Sequence, residues 1–126
     1  MSLDSRWREI ARANSQRLAV HQAASGRSWT FGELERLADA DPVPSGQRIV
    51  HPSGRDVGFL RDLLRAWRAG VPVCPLELGQ TPPQFDPPAP GIALLKLTSG
   101  STGSPRGVAL TPAQVEADVE DRKSTV

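Results

Sequence analysis

Cysteine is nearly missing from this 126-residue chain: there is one, Cys74. A single thiol excludes a disulfide framework and a cysteine zinc cluster. An excess of one charge is missing too, since 15 Lys+Arg against 14 Asp+Glu leave +1. No basic stripe stands out to displace counterions from phosphates, so nucleic acid is not an expected partner. No apolar run approaches the roughly 18 residues of a membrane span. Residues 1–10 carry charges where a signal peptide has its apolar stretch, and the expected location is therefore the cytosol. No internal repeat is visible. The 11 glycines and 12 prolines stay below the roughly 25–30% that marks low-complexity disorder.

What is present is a globular mix, 38% hydrophobic and 23% charged. The length suits one domain or a piece of one. Helical and strand patterns alternate, which predicts an α/β fold. Asp4 or Ser5 is expected to cap a first helix with Trp7, Ile10 and Ala11 on one face. Leu18–His21 and Ser28–Thr30 read as strands around a turn at Ser25–Arg27. Thr30 and Glu33 form a capping box, followed by Phe31, Leu34, Leu37 and Ala38 on a helical stripe. Gln47–His51 reads as a weak strand. Residues 53–56 open the strongest amphipathic helix, with Val57, Leu60, Leu63, Leu64 and Trp67 on its stripe and Gly70 at its C-cap. Arg61, Arg65 and Arg68 on its other side are expected to be a solvated face, like Asp39 and Asp41 at the preceding corner. Val71–Pro75 is short, apolar and limited by proline, so an edge strand is expected.

Five prolines punctuate residues 79–91, which read as a stiff connector. A buried strand, Ile92–Leu97, leads into Thr98-Ser99-Gly100-Ser101-Thr102-Gly103-Ser104-Pro105-Arg106-Gly107. A second strand follows at Gly107–Leu110, then a helix start at Thr111-Pro112-Ala113-Gln114. The ten-residue loop holds glycines that let backbone approach a ligand, and hydroxyls and a cation that suit phosphate oxygens. Its composition fits a hairpin turn as well as a phosphate loop. It is not a Walker loop, because GxxxxGK[ST] is absent and a strand pattern follows. With no apolar anchor between Leu97 and Val108, mobility is expected at about residues 99–105. His21 and His51 belong to no recognisable triad, and Cys74 reads as a packed thiol.

The order of residues Thr98–Val108 resembles the phosphate-loop motif of the adenylate-forming superfamily, which includes acyl-CoA synthetases, peptide-synthetase adenylation domains and luciferases. The family pattern is close to T-S-G-[ST]-T-G-x-P-K-G-V, and every position matches except Arg106, which stands for the usual lysine. Residues 29–34 (WTFGEL) resemble an early family segment, and residues 68–76 (RAGVPVCPL) resemble a later one. The resemblance covers most of residues 6–119 and implies the N-terminal part of an AMP-binding domain, spanning 1–126. It departs from the family in three places: residues 76–92 and 37–48 are abbreviated, and the family's later motifs are not in these residues.

The resemblance implies an acid ligase that uses ATP and Mg²⁺ to activate a carboxylic acid and passes it to a thiol such as coenzyme A. By carry-over, Thr98, Ser99, Gly100, Ser101, Thr102, Gly103, Arg106 and Gly107 would hold the phosphates. Catalytic residues are not expected among these 126, and the metal ligands are not assigned. The alternative is a non-catalytic module with at most weak phosphate binding.

Overall fold

Ser2 starts the first helix: its Oγ accepts the Ser5 amide at 3.0 Å, and α1 runs Leu3–Ala13 in this computed structural model. The structure describes residues 2–84, 89–99 and 105–124. The cap lies earlier than the expected Asp4 or Ser5. Asp4 instead sits in the first turn, where its carboxylate suits the positive helix end and accepts from Arg8 Nε at 3.0 Å. Ala11 is buried, but Ile10, expected on the same face, is 41% exposed.

Strands β1 (Leu18–Gln22) and β2 (Arg27–Thr30) pair antiparallel, with an irregularity between Leu18 and Val20. Helix α2 (Phe31–Ala40) follows directly. Its capping box forms as the sequence predicts, with Glu33 N–H donating to Thr30 Oγ1 (3.2 Å) and Thr30 N–H to Glu33 Oε1 (3.1 Å). Glycine fits closely at position 32: a Cβ would stand 3.0 Å from the Ser15 carbonyl oxygen, which also accepts the Gly32 amide.

Helix α3 (Val57–Ala69) is capped by Asp56 and closed by Gly70 at φ 71°, a left-handed position that glycine reaches without Cβ strain. Trp29, Leu34, Ala38 and Leu64 form a core cluster, with Trp7, Leu37 and Trp67 packed against it. Arg65 and Arg68 are not a solvated face. Their side chains are only 14% and 16% exposed. Arg65 pairs with Asp62 and Asp41, while Arg68 pairs with Asp4, Glu35 and Asp39. α1 and α2 pack on α3 and supply the carboxylates that meet Arg68. A helix wrapped on two sides must neutralise the cations it tucks in.

Beyond the helices, chain segments near residues 50, 73 and 94 lie side by side in parallel. Val50 N–H donates to Pro72 O (3.0 Å), Cys74 N–H to Val50 O (2.8 Å) and Leu76 N–H to Pro52 O (2.9 Å). On the opposite side Val73 N–H donates to Ala93 O (3.0 Å), and Leu95 N–H to Val73 O (2.8 Å). The segment expected as an edge strand is therefore bonded on both sides. Pro72 and Pro75 are tolerated because Val73, Cys74 and Leu76 supply the donors. The weak strand at Gln47–His51 contributes only the bridge at Val50.

β3 (Leu94–Ser99) then pairs antiparallel with β4 (Pro105–Leu110), and α4 (Pro112–Ser124) follows. Thr111 and Gln114 make the expected reciprocal cap at 3.2 and 2.9 Å. One face of this layer packs Val50, Val73 and Leu94 against Ala66 and Leu63 of α3; the other gathers Cys74, Leu76, Leu95 and Leu97. The connector residues 79–84 and 89–91 carry neither helix nor strand. Among the described residues no helix is long and apolar enough to cross a membrane.

Candidate functional site

The β3–β4 hairpin positions the loop that the sequence singles out. Its register runs Leu94↔Leu110, Leu95↔Ala109, Lys96↔Val108, Leu97↔Gly107, Thr98↔Arg106 and Ser99↔Pro105. Hydrophobic residues at 94, 95 and 97 drive the first strand. Leu95 is buried and Leu97 partly so against Cys74 and Leu76, which anchors β3 to the layer. The hairpin brings Thr98 and Arg106 opposite one another, so the two ends of the candidate loop stand on adjacent strands. Gly107 faces Leu97 one step further in. Gly100, Ser101, Thr102 and Gly103, with Ser104, lie outside the described residues, and so does most of the stretch in which mobility is expected.

The element after the loop is a strand, as its sequence predicts. α4 begins only at Pro112, beyond β4. A Walker loop would run straight into a helix whose N-terminus meets the phosphates. In this hairpin no helix N-terminus follows the loop directly, because β4 intervenes before α4. Among the described residues, no group of three or more His, Cys, Asp or Glu side chains is placed to hold a metal ion.

The remaining candidates are structural. Cys74 is fully buried, and burial pushes its thiol pKa up, which makes it a poor nucleophile and fits a packed thiol. His51 Nδ1 lies 3.3 Å from the Cys74 carbonyl oxygen, and His21 Nδ1 lies 2.7 Å from Ser28 Oγ. Neither contact assembles a triad.

No family model matches the chain. Among characterised sequences it is similar to Rv1013 of Mycobacterium tuberculosis, whose name assigns it to the ligases. The identity is 31% over 88 residues, covering 70% of this chain and 14% of that protein. Among solved structures it is similar to the inhibitor-bound N-terminal domain of FACL13 from Mycobacterium tuberculosis, with TM-score 0.64 and 16% identity over 87% of this chain and 44% of that one. The N-terminal subdomain of Klebsiella oxytoca NpsA, in complex with 3-hydroxyanthranilyl-AMSN, gives 0.67 and 14% over 87% and 40%. VinN with 3-methylaspartate gives 0.70 and 17% over 96% and 51%. The chain thus spans 14% of its curated relative and about half or less of each of these structures.

Proposed function

We propose that this chain, whose fold is that of the N-terminal domains of adenylate-forming enzymes, is the N-terminal part of an AMP-forming acid ligase. In this reading residues 1–126 belong to one adenylation domain, with residues 79–91 as its connector, and the parent works in the cytosol. The observation that supports it best is the strand–loop–strand at residues 94–110, with Thr98 and Arg106 paired in register at the loop's two ends. The parent's reaction joins a carboxylate oxygen to the α-phosphorus of ATP and releases pyrophosphate. A thiol such as coenzyme A then takes the acyl group and releases AMP.

The chemistry in such a step lies in phosphate charge, so positioning and electrostatic stabilisation dominate. Thr98, Ser99, Gly100, Ser101, Thr102 and Gly103 hold the polyphosphate through amides and hydroxyls, Gly107 allows close backbone approach, and Arg106 neutralises it. Arg106 keeps the charge of a lysine and adds bidentate reach. When bound, Mg²⁺ offsets further phosphate charge.

The 126 residues alone are expected to bind MgATP only in the millimolar range, near −4 kcal/mol, and to form no acyl-adenylate. Pyrophosphate exchange with a panel of aliphatic and aromatic acids, alongside an MgATP titration followed by amide NMR, tests both statements. Shifts confined to residues 98–107 without exchange are the expected result. Acid-dependent exchange lost in Arg106→Ala would make the chain a minimal enzyme. No shift at all would remove the phosphate-loop assignment.

A further inference from the structure

A groove of about 280 Å³ lies between β1 and the start of α3. Val20, Val57, Phe59 and Leu60 give it apolar, partly buried walls, while His21 and Arg55 line it from exposed positions. No residue of the β3–β4 hairpin lines it, so it is independent of the phosphate-loop reading. We propose that this groove binds a small monocarboxylic acid with a compact apolar body, held by Arg55.

The polar groups at the groove differ in what they have to offer. The first amides of α3 are already taken: Val57 N–H donates to Gln22 Oε1 (3.2 Å), and Gly58 N–H to Asp56 Oδ1 (3.1 Å). The helix end is therefore not the anion handle. His21 commits Nδ1 to Ser28 and leaves Nε2 without a hydrogen bond among the described residues. Arg55 has no ion-pair partner among the described residues, although it lines the groove. A guanidinium pairs bidentately with a carboxylate or a phosphate. The Asp56 carboxylate on the same wall repels a dianion more strongly than a monoanion, which favours a carboxylate over a phosphate.

Size sets the rest. A cavity of about 150 Å³ takes one benzene, so this groove accommodates a single ring or short branched chain with its carboxylate. It lies just under the roughly 300–1,000 Å³ of drug-sized sites. The expected affinity is millimolar.

Amide NMR titration of the chain with sodium benzoate, benzyl alcohol and phenyl phosphate tests the proposal. Saturable benzoate shifts confined to residues 20–22 and 54–60 are expected. Arg55→Gln should weaken benzoate binding about tenfold, the loss of one charge-assisted hydrogen-bonded pair. Arg55→Lys, which keeps the charge, should fall between. Absence of saturable shifts overturns the proposal, as does Arg55→Gln binding like the wild type. Benzyl alcohol binding as well as benzoate would show a groove with no anion handle. Tighter binding of phenyl phosphate would refute the monocarboxylate assignment.

Discussion

Arg68 is the residue whose replacement tests the packing most sharply. Its guanidinium ties α3 to Asp4 of α1 and to Glu35 and Asp39 of α2, and its side chain is 16% exposed. Arg68→Met keeps most of the aliphatic stem and removes the charge. Asp39 is 63% exposed and loses little. Asp4 is 17% exposed but retains Arg8 at 3.0 Å. Glu35 is 19% exposed and has no other ion-pair partner among the described residues. The cost therefore concentrates on one largely buried carboxylate left without its cation. Breaking a fully buried pair costs about 3–5 kcal/mol; residual solvent at these side chains reduces that to about 2–3 kcal/mol. With a urea slope of about 2 kcal/mol/M, the midpoint should fall by roughly 1–1.5 M. Adding Glu35→Gln removes the orphaned charge and should return about 1 kcal/mol or more as coupling. A midpoint change under about 0.3 M, or strict additivity of the two substitutions, would refute the idea that Arg68 is the electrostatic centre of the three helices.

Two further outcomes follow from the caps. Gly70→Ala should cost about 1 kcal/mol, because φ is 71° while nothing lies within 4 Å of the added Cβ, so the penalty is backbone alone. Thermal melting checks it: a fall of a few degrees is expected, and an unchanged melting temperature would contradict the left-handed assignment. Hydrogen bonds from Thr30 hold the Glu33 carboxyl below its ordinary value of 4.5. A depressed carboxyl adds stability that is full above that ordinary value and fades as pH falls through the lower folded one. Wild type should therefore exceed Glu33→Gln in urea midpoint at neutral pH, with the gap closing below pH 4.5. A gap independent of pH would show that the charge contributes nothing.

Most local signals were legible because their cause is local; the α1 cap, expected at Asp4 or Ser5 and found at Ser2, is the exception. The Thr30/Glu33 box, Asp56 beside the start of α3, Gly70 at its end and the Thr111/Gln114 cap each depend on residues a few positions apart, and the structure has them all. The two strands on either side of the candidate loop were legible for the same reason, though β3 starts at Leu94 rather than Ile92 and β4 at Pro105 rather than Gly107. Long-range events were not. Nothing near Arg68 in sequence announces Asp4 or Glu35, so a paired, largely covered cation looked like a solvated one. Val71–Pro75 carries the prolines of an edge, but its place is decided by segments more than twenty residues before and after it. The groove beside Arg55 joins β1 to α3 across more than thirty residues and has no sequence signature. At the candidate site, the motif's order named the residues, and the register of β3 with β4 added which of them stand opposite.

The two bonds that Val73 makes to Ala93 and Leu95 turn the hairpin into a cantilever clamped at one end. From Leu95 to Ser99 the arm is about 14 Å long at roughly 3.4 Å per residue. A tilt of about 5° at the clamp displaces its tip by about 1 Å, a misplacement that can cost a reaction about 10²-fold. Val73 itself is seated by Val50 on one side and by Ala66 of α3 beneath, and the chain enters that seat three residues after the turn at Gly70. The placement of the β3–β4 hairpin is therefore set at the far end of α3. On the proposed phosphate-loop reading, changes in its packing there would misdirect phosphate contacts while leaving every residue of the motif intact.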